Sequence, residues 1–493
     1  MVRLIAITLP DFVFRLFLLL DLFLSVEPCI IIKTPNQQQS VSIYYNNKNL
    51  VFIGISYVKI LDKIIISLYH RKADKRMKFS EELVWRGSIK DKTFENVSYL
   101  DEPRSLYLGV DGTADSLTIG NLAILMLLMR FVAAGHKVFM LIGGATSLVG
   151  DPSGKLTERE LKSAEEINHN TQSIKNQVES IFSKNVSGHP ITFVNNYDWF
   201  KDIKLMDFLR ETGKYFAISD LVNRDFVQTR IDQSGDGISF TEFSYTLIQG
   251  YDFWHLYKNH GVNLQIGGSD QWGNLLSGVS LIRKKENAEV NALTIPLVIN
   301  RSTGIKFGKS ETGAVWLDED KTSPTKLYQF FVNSGDEDLD YLLKAYTFLS
   351  KEQIDELVAR HNANPAIRNG QKELAYQVTK IVHGQDKADV AVKISEVLTG
   401  KFALSDLSNN EIDQLKKEIN FERVSLNSSV IDILVSVGLA ESKTEARKFL
   451  KDGSISINFN RIDNEIIDES KFSGGLALIK RGKAFKDTAL ISL

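Results

Sequence analysis

Three short segments combine glycine with residues that could bind a nucleotide or a small polar ligand. The first runs from Tyr107 to Asn121, where an apolar stretch ends in a turn and a helix is predicted to begin near Gly120. The N-terminus of a helix offers free N–H groups and about half a positive charge, so it can bind phosphate. Glycine there would also let a ligand ring lie against the backbone. An ordinary strand–turn–helix would give the same pattern.

The second segment, Lys306–Ser310 with the sequence KFGKS, follows a turn at residues 300–304. Two lysines and a hydroxyl group on a loop made flexible by glycine suit polyphosphate, because lysine presents a mobile point charge. Taken alone, the same residues would more readily describe a basic turn exposed to solvent.

The third constellation pairs the segment Gly267–Trp272 with an upstream helical segment. There Tyr245, Gln249 and Asp252 are spaced i, i+4 and i+7, so they lie on one face of the predicted helix. Three polar groups on an otherwise apolar helix cost free energy in a core unless they have partners. The pattern indicates either a polar binding pocket or a polar network whose members satisfy one another.

The elements that must position these residues alternate between apolar strands and helices. This order predicts an α/β fold built on a Rossmann-like parallel sheet. Ligands of such sheets bind at the carboxyl ends of the strands, which is where the glycine turns fall. Strands are predicted at residues 106–110, 138–142, 262–266 and 293–299, and helices at 122–134, 158–183, 205–222 and from Gly268 to about 285.

Two further regions follow the sheet. Residues 322 to about 420 are predicted to be helical, because they are charged and carry few glycine turns. The end of the chain is predicted to be a small α+β domain, with helices at 430–437 and 442–452 before short strands. The predicted domains are an extension at 1–76, the sheet domain at 77–321, a helical domain at 322–427 and an end domain at 428–493.

Composition excludes several classes of protein. Among 493 residues, 59 are Lys or Arg and 61 are Asp or Glu, which gives a net charge of −2. Any nucleic acid must therefore be bound by local basic patches. Cys29 is the single cysteine, so an internal disulfide and a cysteine-based zinc site are excluded.

The apolar N-terminal stretch is predicted to belong to a dispensable extension, with translation starting at Met77. Asp11, Arg15 and Asp21 interrupt its apolar run, and each charge at the centre of a membrane helix costs about 2.5–3.5 kcal/mol. The features of a signal or transit peptide are not clear either. A membrane or targeting role and a packed accessory element are the alternatives.

The three constellations together resemble a known family, the bacterial-type tyrosyl-tRNA synthetases of class I. Tyr107–Asn121 stands in the place of the HIGH signature, and Lys306–Ser310 matches the KMSKS loop in its KFGKS form. Further segments resemble the family's blocks, in the family's order, at residues 143–146, 150–155, 238–245 and 265–274. The resemblance covers residue 77 to the C-terminus.

The resemblance implies a tyrosine–tRNA ligase. Such an enzyme activates L-tyrosine with ATP, releases pyrophosphate, and transfers tyrosine from tyrosyl-adenylate to the 3′ end of tRNA(Tyr). No protein nucleophile is needed, so catalysis would rest on positioning and charge stabilisation. ATP is expected as a substrate with Mg²⁺ carried by the nucleotide, and no protein-bound metal or organic cofactor is expected. A cytoplasmic homodimer without a membrane partner is implied, with the segment around Phe240 and the helix at 205–222 as its interface.

The resemblance also assigns residues to the substrates. The tyrosine-binding residues would be Tyr107, Asp151, Tyr245, Gln249, Asp252 and Gln271. The ATP-binding residues would be Gly109, Asp111, Gly120, Gly268, Asp270 and Lys309. The catalytic residues, acting mainly on the phosphates of ATP, would be Thr113, Thr118, Asn121, Lys155, Arg159, Lys306, Lys309 and Ser310. Tyr107 and Asp252 would bind the substrate phenol, which favours tyrosine over the indole bound by the tryptophan-specific sister enzyme.

The sequence departs from the family at both signature histidines. Thr118 and Asn121 occupy their positions, and Gly112 replaces the usual proline. Asn121 keeps an amide donor, whereas Thr118 either reaches the γ-phosphate through its hydroxyl or a water, or weakens ATP activation. A degenerate protein that binds RNA without catalysis is therefore the rival from another class.

The end domain resembles the S-four-type RNA-binding module. The predicted tRNA-binding residues are Lys443, Arg447, Lys448 and Arg481, in a basic face that also includes Lys451, Arg461, Lys480 and Lys483. A solvated surface of mixed charge is the alternative. Phe459 replaces the glycine of the usual Asn-Gly turn, so the hairpin is expected to differ.

Overall fold

The computed structural model describes two compact units, Met1–Met77 and Lys78–Leu493. The described residues are 30–33, 40–46, 49–53, 77–151, 161–187, 191–222, 224–233, 238–301, 303–310, 313–482 and 487–493. The first unit contains an antiparallel sheet of β1 (Ile30–Lys33), β2 (Ser40–Asn46) and β3 (Asn49–Ile53), with β2 in the middle. Most of the predicted extension, including its apolar run before Cys29, lies outside the described residues.

A five-stranded parallel sheet lies at the centre of the second unit. Its strands are β4 (Ser105–Asp111), β5 (Lys137–Gly143), β6 (Thr192–Asn195), β7 (Leu264–Gly268) and β8 (Asn291–Ile295), in the spatial order β6-β5-β4-β7-β8. The chain builds one half of the sheet outward from β4 and then returns to build the other half on the opposite side. The reversal lies between β4 and β7, and parallel sheets bind ligands at the carboxyl ends of the strands beside such a point. The predicted Rossmann-like sheet is confirmed.

Helices connect and cover these strands. They are α1 (Phe79–Trp85), α2 (Ile119–Ala133), α3 (Gly144–Val149), α4 (Ala164–Asn185), α5 (Tyr197–Phe200), α6 (Leu205–Glu211), α7 (Ile218–Val222), α8 (Asp225–Gln233), α9 (Phe240–His260) and α10 (Trp272–Glu286). Helix α2 is apolar on nearly all sides and is almost wholly buried, as expected for a helix enclosed by other elements. None of the described helices combines the length and apolar character that crossing a bilayer requires.

Two predicted elements differ from the structure. The single helix predicted at 205–222 is wrong, because a 3₁₀ turn at Gly213–Tyr215 separates α6 from α7. Glycine weakens a helix interior, which explains the break. The strand predicted at 293–299 ends at Ile295, since Pro296 follows and cannot donate a hydrogen bond to a neighbouring strand.

A helical domain follows the sheet. After the short pair β9 (Lys309–Ser310) and β10 (Gly313–Ala314) come α11 (Pro324–Val332), α12 (Leu339–Tyr346), α13 (Lys351–Ala363), α14 (Asn369–His383), α15 (Gln385–Leu398) and α16 (Asn409–Glu418). One apolar core extends from the sheet domain into these helices, so that Leu125 and Phe131 of α2 belong to the same cluster as Phe331 and Tyr346. The predicted helical character of this region is confirmed.

The end of the chain is a second mixed sheet with two helices. Its elements are β11 (Asn420–Arg423), α17 (Val430–Ser436), α18 (Lys443–Lys451), β12 (Ile455–Ile457), β13 (Asn460–Arg461), β14 (Leu476–Arg481) and β15 (Thr488–Ser492). The strand order is β11-β15-β14-β12-β13, with β11 parallel to β15. The sheet of the end domain therefore includes residues from Asn420 onward. The predicted boundary between the helical and end domains, at residues 427 and 428, stays a prediction.

The β12–β13 hairpin keeps a two-residue turn despite Phe459. Asn458 and Phe459 have φ values of +46° and +66°, the left-handed values that a type I′ turn needs at both positions. The Phe459 ring lies against Gly400, where an added Cβ would come within 3.0 Å of the ring. Lys480 Nζ donates to the carbonyl oxygen of Leu398 at 3.2 Å. The ring thus packs against the helical domain while the turn itself has no glycine, and a difference from the family's usual hairpin stays a prediction.

Candidate active site

Tyr107 places a hydroxyl group without a partner inside the sheet domain. Its side chain, in the middle of β4, is buried, and its hydroxyl has no hydrogen-bond partner among the described residues. Burial raises the pKa of this phenol well above its usual value, and the nearby carboxylate of Asp252 raises it further. Leaving a buried polar group unpaired costs about 1–3 kcal/mol. The hydroxyl therefore indicates where a polar group of a ligand can bind.

Asp252 on α9 is held by two donors from the segment that follows β6. Trp199 Nε1 donates to Asp252 Oδ1 at 2.9 Å, and Asn196 Nδ2 donates to Oδ2 at 3.0 Å. Burial raises the pKa of Asp252 to about 8, while these two hydrogen bonds act in the opposite direction. A carboxyl group keeps acceptor positions beyond these two hydrogen bonds whether it is ionised or protonated, so Asp252 can accept a further hydrogen bond from a ligand.

A second carboxylate, Asp111, ends β4 and is linked to the same helix. Tyr245 Oη donates to Asp111 Oδ2 at 3.0 Å, and Thr146 Oγ1 donates to Oδ1 at 2.8 Å. Asn196 Nδ2 also lies 3.2 Å from Thr146 Oγ1 and donates to it, so one amide group connects Asp111 with Asp252. Burial raises the pKa of Tyr245 well above its usual value, and the neighbouring carboxylates raise it further.

Asp151 adds a third carboxylate beside Tyr245. Gln271 Nε2 donates to Asp151 Oδ2 at 2.8 Å, and Asn274 Nδ2 donates to Gln271 Oε1 at 3.0 Å. Gln249 Oε1 is buried and has no partner among the described residues. Gln249 lies one turn after Tyr245 on α9, so its unused acceptor is on the helix face that Asp111 and Asp151 approach at Tyr245, and such a combination suits an ammonium group.

A more open group of residues follows β7. Lys306 Nζ forms an ion pair with Asp270 Oδ2 at 3.2 Å, and both side chains are partly exposed. Asp270 lies in the 3₁₀ turn after Gly268, and the backbone is exposed at Gly109 and Gly120. An ion pair in contact with water contributes about 0–1 kcal/mol, so a ligand can replace either partner at little cost. No group of three or more His, Cys, Asp or Glu among the described residues could hold a metal ion.

The base of the KFGKS loop lies directly on the first turn of α2. Gly308 has φ +94°, and an added Cβ there would lie 2.3 Å from Ile119 Cγ2, so a side chain cannot fit. Ile119 N–H donates to the Val315 oxygen at 2.9 Å, and Leu317 N–H donates to the Leu117 oxygen at 2.9 Å. These contacts hold the KFGKS loop against the N-terminus of α2. Both of these elements were predicted to bind phosphate.

Several predicted phosphate contacts are described only in part. Lys309 and Ser310 are described through their backbone in β9, where Lys309 pairs with Ala314. Lys155 and Arg159 lie outside the described residues. Thr113 lies in the half-buried turn between β4 and α2. The assignment of these residues to ATP stays a prediction.

Thr118 and Asn121 bind one another at the start of α2. The backbone N–H and the hydroxyl of Thr118 both donate to Asn121 Oδ1, at 3.0 and 2.9 Å. A polar residue at the N-cap and an acceptor three residues later is the spacing of a capping box, so the pair stabilises the helix start. The Asn121 amide nitrogen is the donor that this arrangement does not use.

Sequence reasoning assigned no role to four residues that organise the site: Asn196, Trp199, and Thr146 and Asn274, which end the blocks at 143–146 and 265–274. Asn196 and Trp199 hold Asp252 from α5 and the residue before it. Thr146 and Asn274 orient Asp111 and Gln271 from α3 and α10. Its place in the chain could have identified Asn196 as a site residue. It directly follows β6, so it lies at the same carboxyl edge of the sheet as the glycine turns.

The predicted RNA-binding residues of the end domain fall into two groups. Arg447 and Lys448 are exposed, and Lys443 Nζ forms an exposed ion pair with Asp432 Oδ1 at 2.7 Å. The guanidinium of Arg481 instead donates to Asp487 Oδ1 at 2.6 Å and to the Leu439 oxygen at 2.9 Å. Arg481 therefore has a structural role, and a phosphate would have to compete with these partners.

The sequence matches a family of tRNA synthetases. Residues 100–399 match the family model described as tRNA synthetases class I (W and Y). Residues 411–486 match the model described as Tyrosine–tRNA ligase SYY-like C-terminal domain. The chain therefore belongs to the class I tRNA synthetases of the W and Y family and, within it, to the tyrosine–tRNA ligases. The predictions of family, fold class and enzyme class are confirmed.

Relatives from bacteria and fungi agree with this assignment. Tyrosine–tRNA ligase 2 of Bacillus cereus is 43% identical over 426 residues, which cover 85% of this chain and 100% of the relative. Tyrosine–tRNA ligase of Bacillus caldotenax is 44% identical over 82% of this chain and 97% of its own. A C-terminally truncated mitochondrial tyrosyl-tRNA synthetase from Aspergillus nidulans has a similar structure, with a TM-score of 0.59 and 32% identity over 66% of this chain and 95% of that chain.

Proposed function

We propose that this chain activates L-tyrosine with ATP, releases pyrophosphate, and transfers tyrosine to the 3′ end of tRNA(Tyr). The buried pair of Tyr107 and Asp252 carries the proposal. A phenol has one donor and one acceptor, so Tyr107 would donate to its oxygen and Asp252 would accept its hydrogen. Phenylalanine would leave the Tyr107 hydroxyl unpaired and would give Asp252 no hydrogen bond beyond those from Asn196 and Trp199. The indole N–H of tryptophan could serve Asp252 but would leave Tyr107 without an acceptor.

The other end of the amino acid would bind among the polar residues of α9 and its neighbours. Asp151, Tyr245 and Gln249 would hold the ammonium group, since they combine negative charge with acceptors in one buried region. Gln271 would lie beside the substrate carboxylate, which attacks the α-phosphate of ATP. This reaction needs substrates held in line rather than a protein nucleophile, which agrees with a site built of fixed hydrogen bonds.

ATP would bind between the carboxyl edge of the sheet and the KFGKS loop. Asp270 would accept the ribose hydroxyls in place of Lys306, which would leave the ammonium of Lys306 available for the leaving pyrophosphate. The exposed backbone at Gly109 and Gly120 would allow the nucleotide to approach closely. Mg²⁺ would enter with the nucleotide. Thr113, Thr118, Asn121 and the remaining predicted lysines and arginine are proposed to act on its phosphates.

Pyrophosphate exchange into ATP tests the first step. We expect exchange with L-tyrosine and little with L-tryptophan or L-phenylalanine. Asp252→Ala should remove most tyrosine-dependent exchange. Asp101→Ala is the matched control, because Asp101 also accepts two hydrogen bonds, from Ser80, but lies before β4 at the other end of the sheet. Exchange that follows tryptophan would favour the sister enzyme, and tRNA binding without any exchange would favour the degenerate RNA-binding protein.

The transfer step requires the end domain to bind tRNA(Tyr). Arg447 and Lys448 are exposed on α18, so replacing both with glutamate should weaken tRNA binding and reduce its salt dependence. Exchange without tRNA should be unchanged in this variant. The predicted cytoplasmic location would be tested separately by cell fractionation.

A homodimer is proposed through exposed apolar side chains of α6, α7 and the start of α9. Leu205, Met206, Ile218 and Phe240 are each about 70% or more exposed, although they are large and apolar. Apolar side chains clustered on a surface mark protein interaction sites. Sedimentation velocity should give a dimer for the natural chain and a monomer for Phe240→Glu. Val84→Glu, which changes an exposed apolar residue of α1, should leave the dimer intact.

A further inference from the structure

A group of aromatic side chains joins the helical domain to the KFGKS loop. The ring centroid of Phe307, within the loop, lies 5.0 Å from that of Phe330 and 5.7 Å from that of Phe331. It lies 6.0 Å from that of Tyr346. Phe330 and Phe331 belong to α11, and Tyr346 ends α12. The base of the loop is therefore held by the helical domain as well as by the sheet domain.

Tyr346 also makes a directed contact with the start of α2. Its side chain is fully buried, and its hydroxyl donates to the carbonyl oxygen of Ile119 at 3.1 Å. Ile119 is the first residue of α2, and its N–H donates to Val315, in the segment that leaves the loop. One tyrosine thus binds the helix start through its hydroxyl and contacts the loop through its ring.

We infer that Tyr346 is a positioning residue for the ATP-dependent step. It fixes the first turn of α2 against the KFGKS loop, and both elements carry residues that are proposed to act on the phosphates of ATP. This inference rests on the proposed function. A displacement of these elements would misalign the α-phosphate, and reaction rates are sensitive to such errors. The tyrosine pocket should be unaffected, because Tyr107 and Asp252 lie on β4 and α9.

Tyr346→Phe removes the hydroxyl and keeps the ring. We expect kcat/KM for ATP in tyrosine-dependent pyrophosphate exchange to fall about tenfold, the size that loss of one buried hydrogen bond predicts. The dissociation constant for L-tyrosine, measured by equilibrium dialysis, should be unchanged. Tyr328→Phe is the matched control, because Tyr328 is buried on α11 and its hydroxyl lies near Glu373 and Glu396 of the same domain.

Three results would overturn the inference. Unchanged ATP parameters in Tyr346→Phe would show that the hydroxyl does not position the site. Loss of tyrosine binding together with exchange would show a merely structural role, and this result also covers a variant that fails to fold. An equal defect in Tyr328→Phe would show general loosening of the helical domain. Absence of exchange in the natural chain is a different outcome, since it refutes the proposed function before any variant is made.

Discussion

Replacing Tyr107 with phenylalanine should increase stability and decrease function at the same time. The Tyr107 hydroxyl is buried and has no partner among the described residues, so the folded protein without ligand bears the cost of removing it from water. Deleting that hydroxyl should raise the free energy of unfolding by up to about 1–3 kcal/mol. Most substitutions in a core act in the opposite direction, which makes the sign of the effect informative.

The effect on binding follows from the same atom. Tyrosine would lose one hydrogen bond in the variant, which is worth about 0.5–1.5 kcal/mol, or about 2- to 13-fold in affinity. Phenylalanine would bind equally to both forms, since the hydroxyl is unpaired with or without it. Discrimination between tyrosine and phenylalanine should therefore fall by the same factor as the affinity for tyrosine.

Thermal denaturation without ligand and pyrophosphate exchange with each amino acid measure both effects. Tyr245→Phe is the matched control, because the Tyr245 hydroxyl donates to Asp111 at 3.0 Å and its loss should lower stability. A Tyr107→Phe variant that is less stable than the natural chain, with unchanged discrimination, would refute the assignment of this hydroxyl to the substrate.

Three further perturbations test other parts of the site. The pKa of Asp252 is raised to about 8, so the folded chain keeps a proton that the unfolded chain releases near pH 4. The free energy of unfolding of the natural chain, relative to that of Asp252→Asn, should therefore fall between about pH 4 and pH 8. A difference between the two chains that does not change with pH would contradict this. Thr118→His removes the side-chain hydrogen bond to Asn121 and should lower the free energy of unfolding by about 1 kcal/mol. Tyrosine-dependent exchange should stay equal or rise. A severe loss of rate would mean that the loop has been rebuilt around threonine. A chain of residues 77–493 should retain exchange, since Met1–Met77 forms a separate unit, and an insoluble or inactive product would show that the extension is required.

The sheet and its glycine turns could be predicted because they depend on local patterns. Apolar strands, glycine turns and helical spacing are visible in single segments, and they predicted that Tyr245 and Asp252 share a face of α9. Asn196 and Trp199 could not be found in this way, because the four-residue helix α5 has no periodic pattern and reaches Asp252 only through the tertiary fold.

Two predictions depended on the direction and partners of side chains, which a sequence motif does not specify. Thr118 and Asn121 were assigned to ATP by their place in the signature, although their spacing is also that of a helix cap, which the structure shows. Lys480 and Arg481 were assigned to one basic face, but they are neighbours on β14 and therefore point to opposite sides of the sheet. Lys480 is buried against Leu398.

The end domain shares apolar core with the helical domain. Leu478 and Leu490 of its sheet lie in one cluster with Val397 and Leu398 of α15, and the ring of Phe459 covers Gly400 beside them. Force applied to α18, which carries the predicted tRNA contacts, would therefore be transmitted through the end-domain sheet to α15 by direct side-chain packing. Cutting the chain between the two domains would leave leucine and valine side chains in water on both fragments, so we expect both fragments to aggregate.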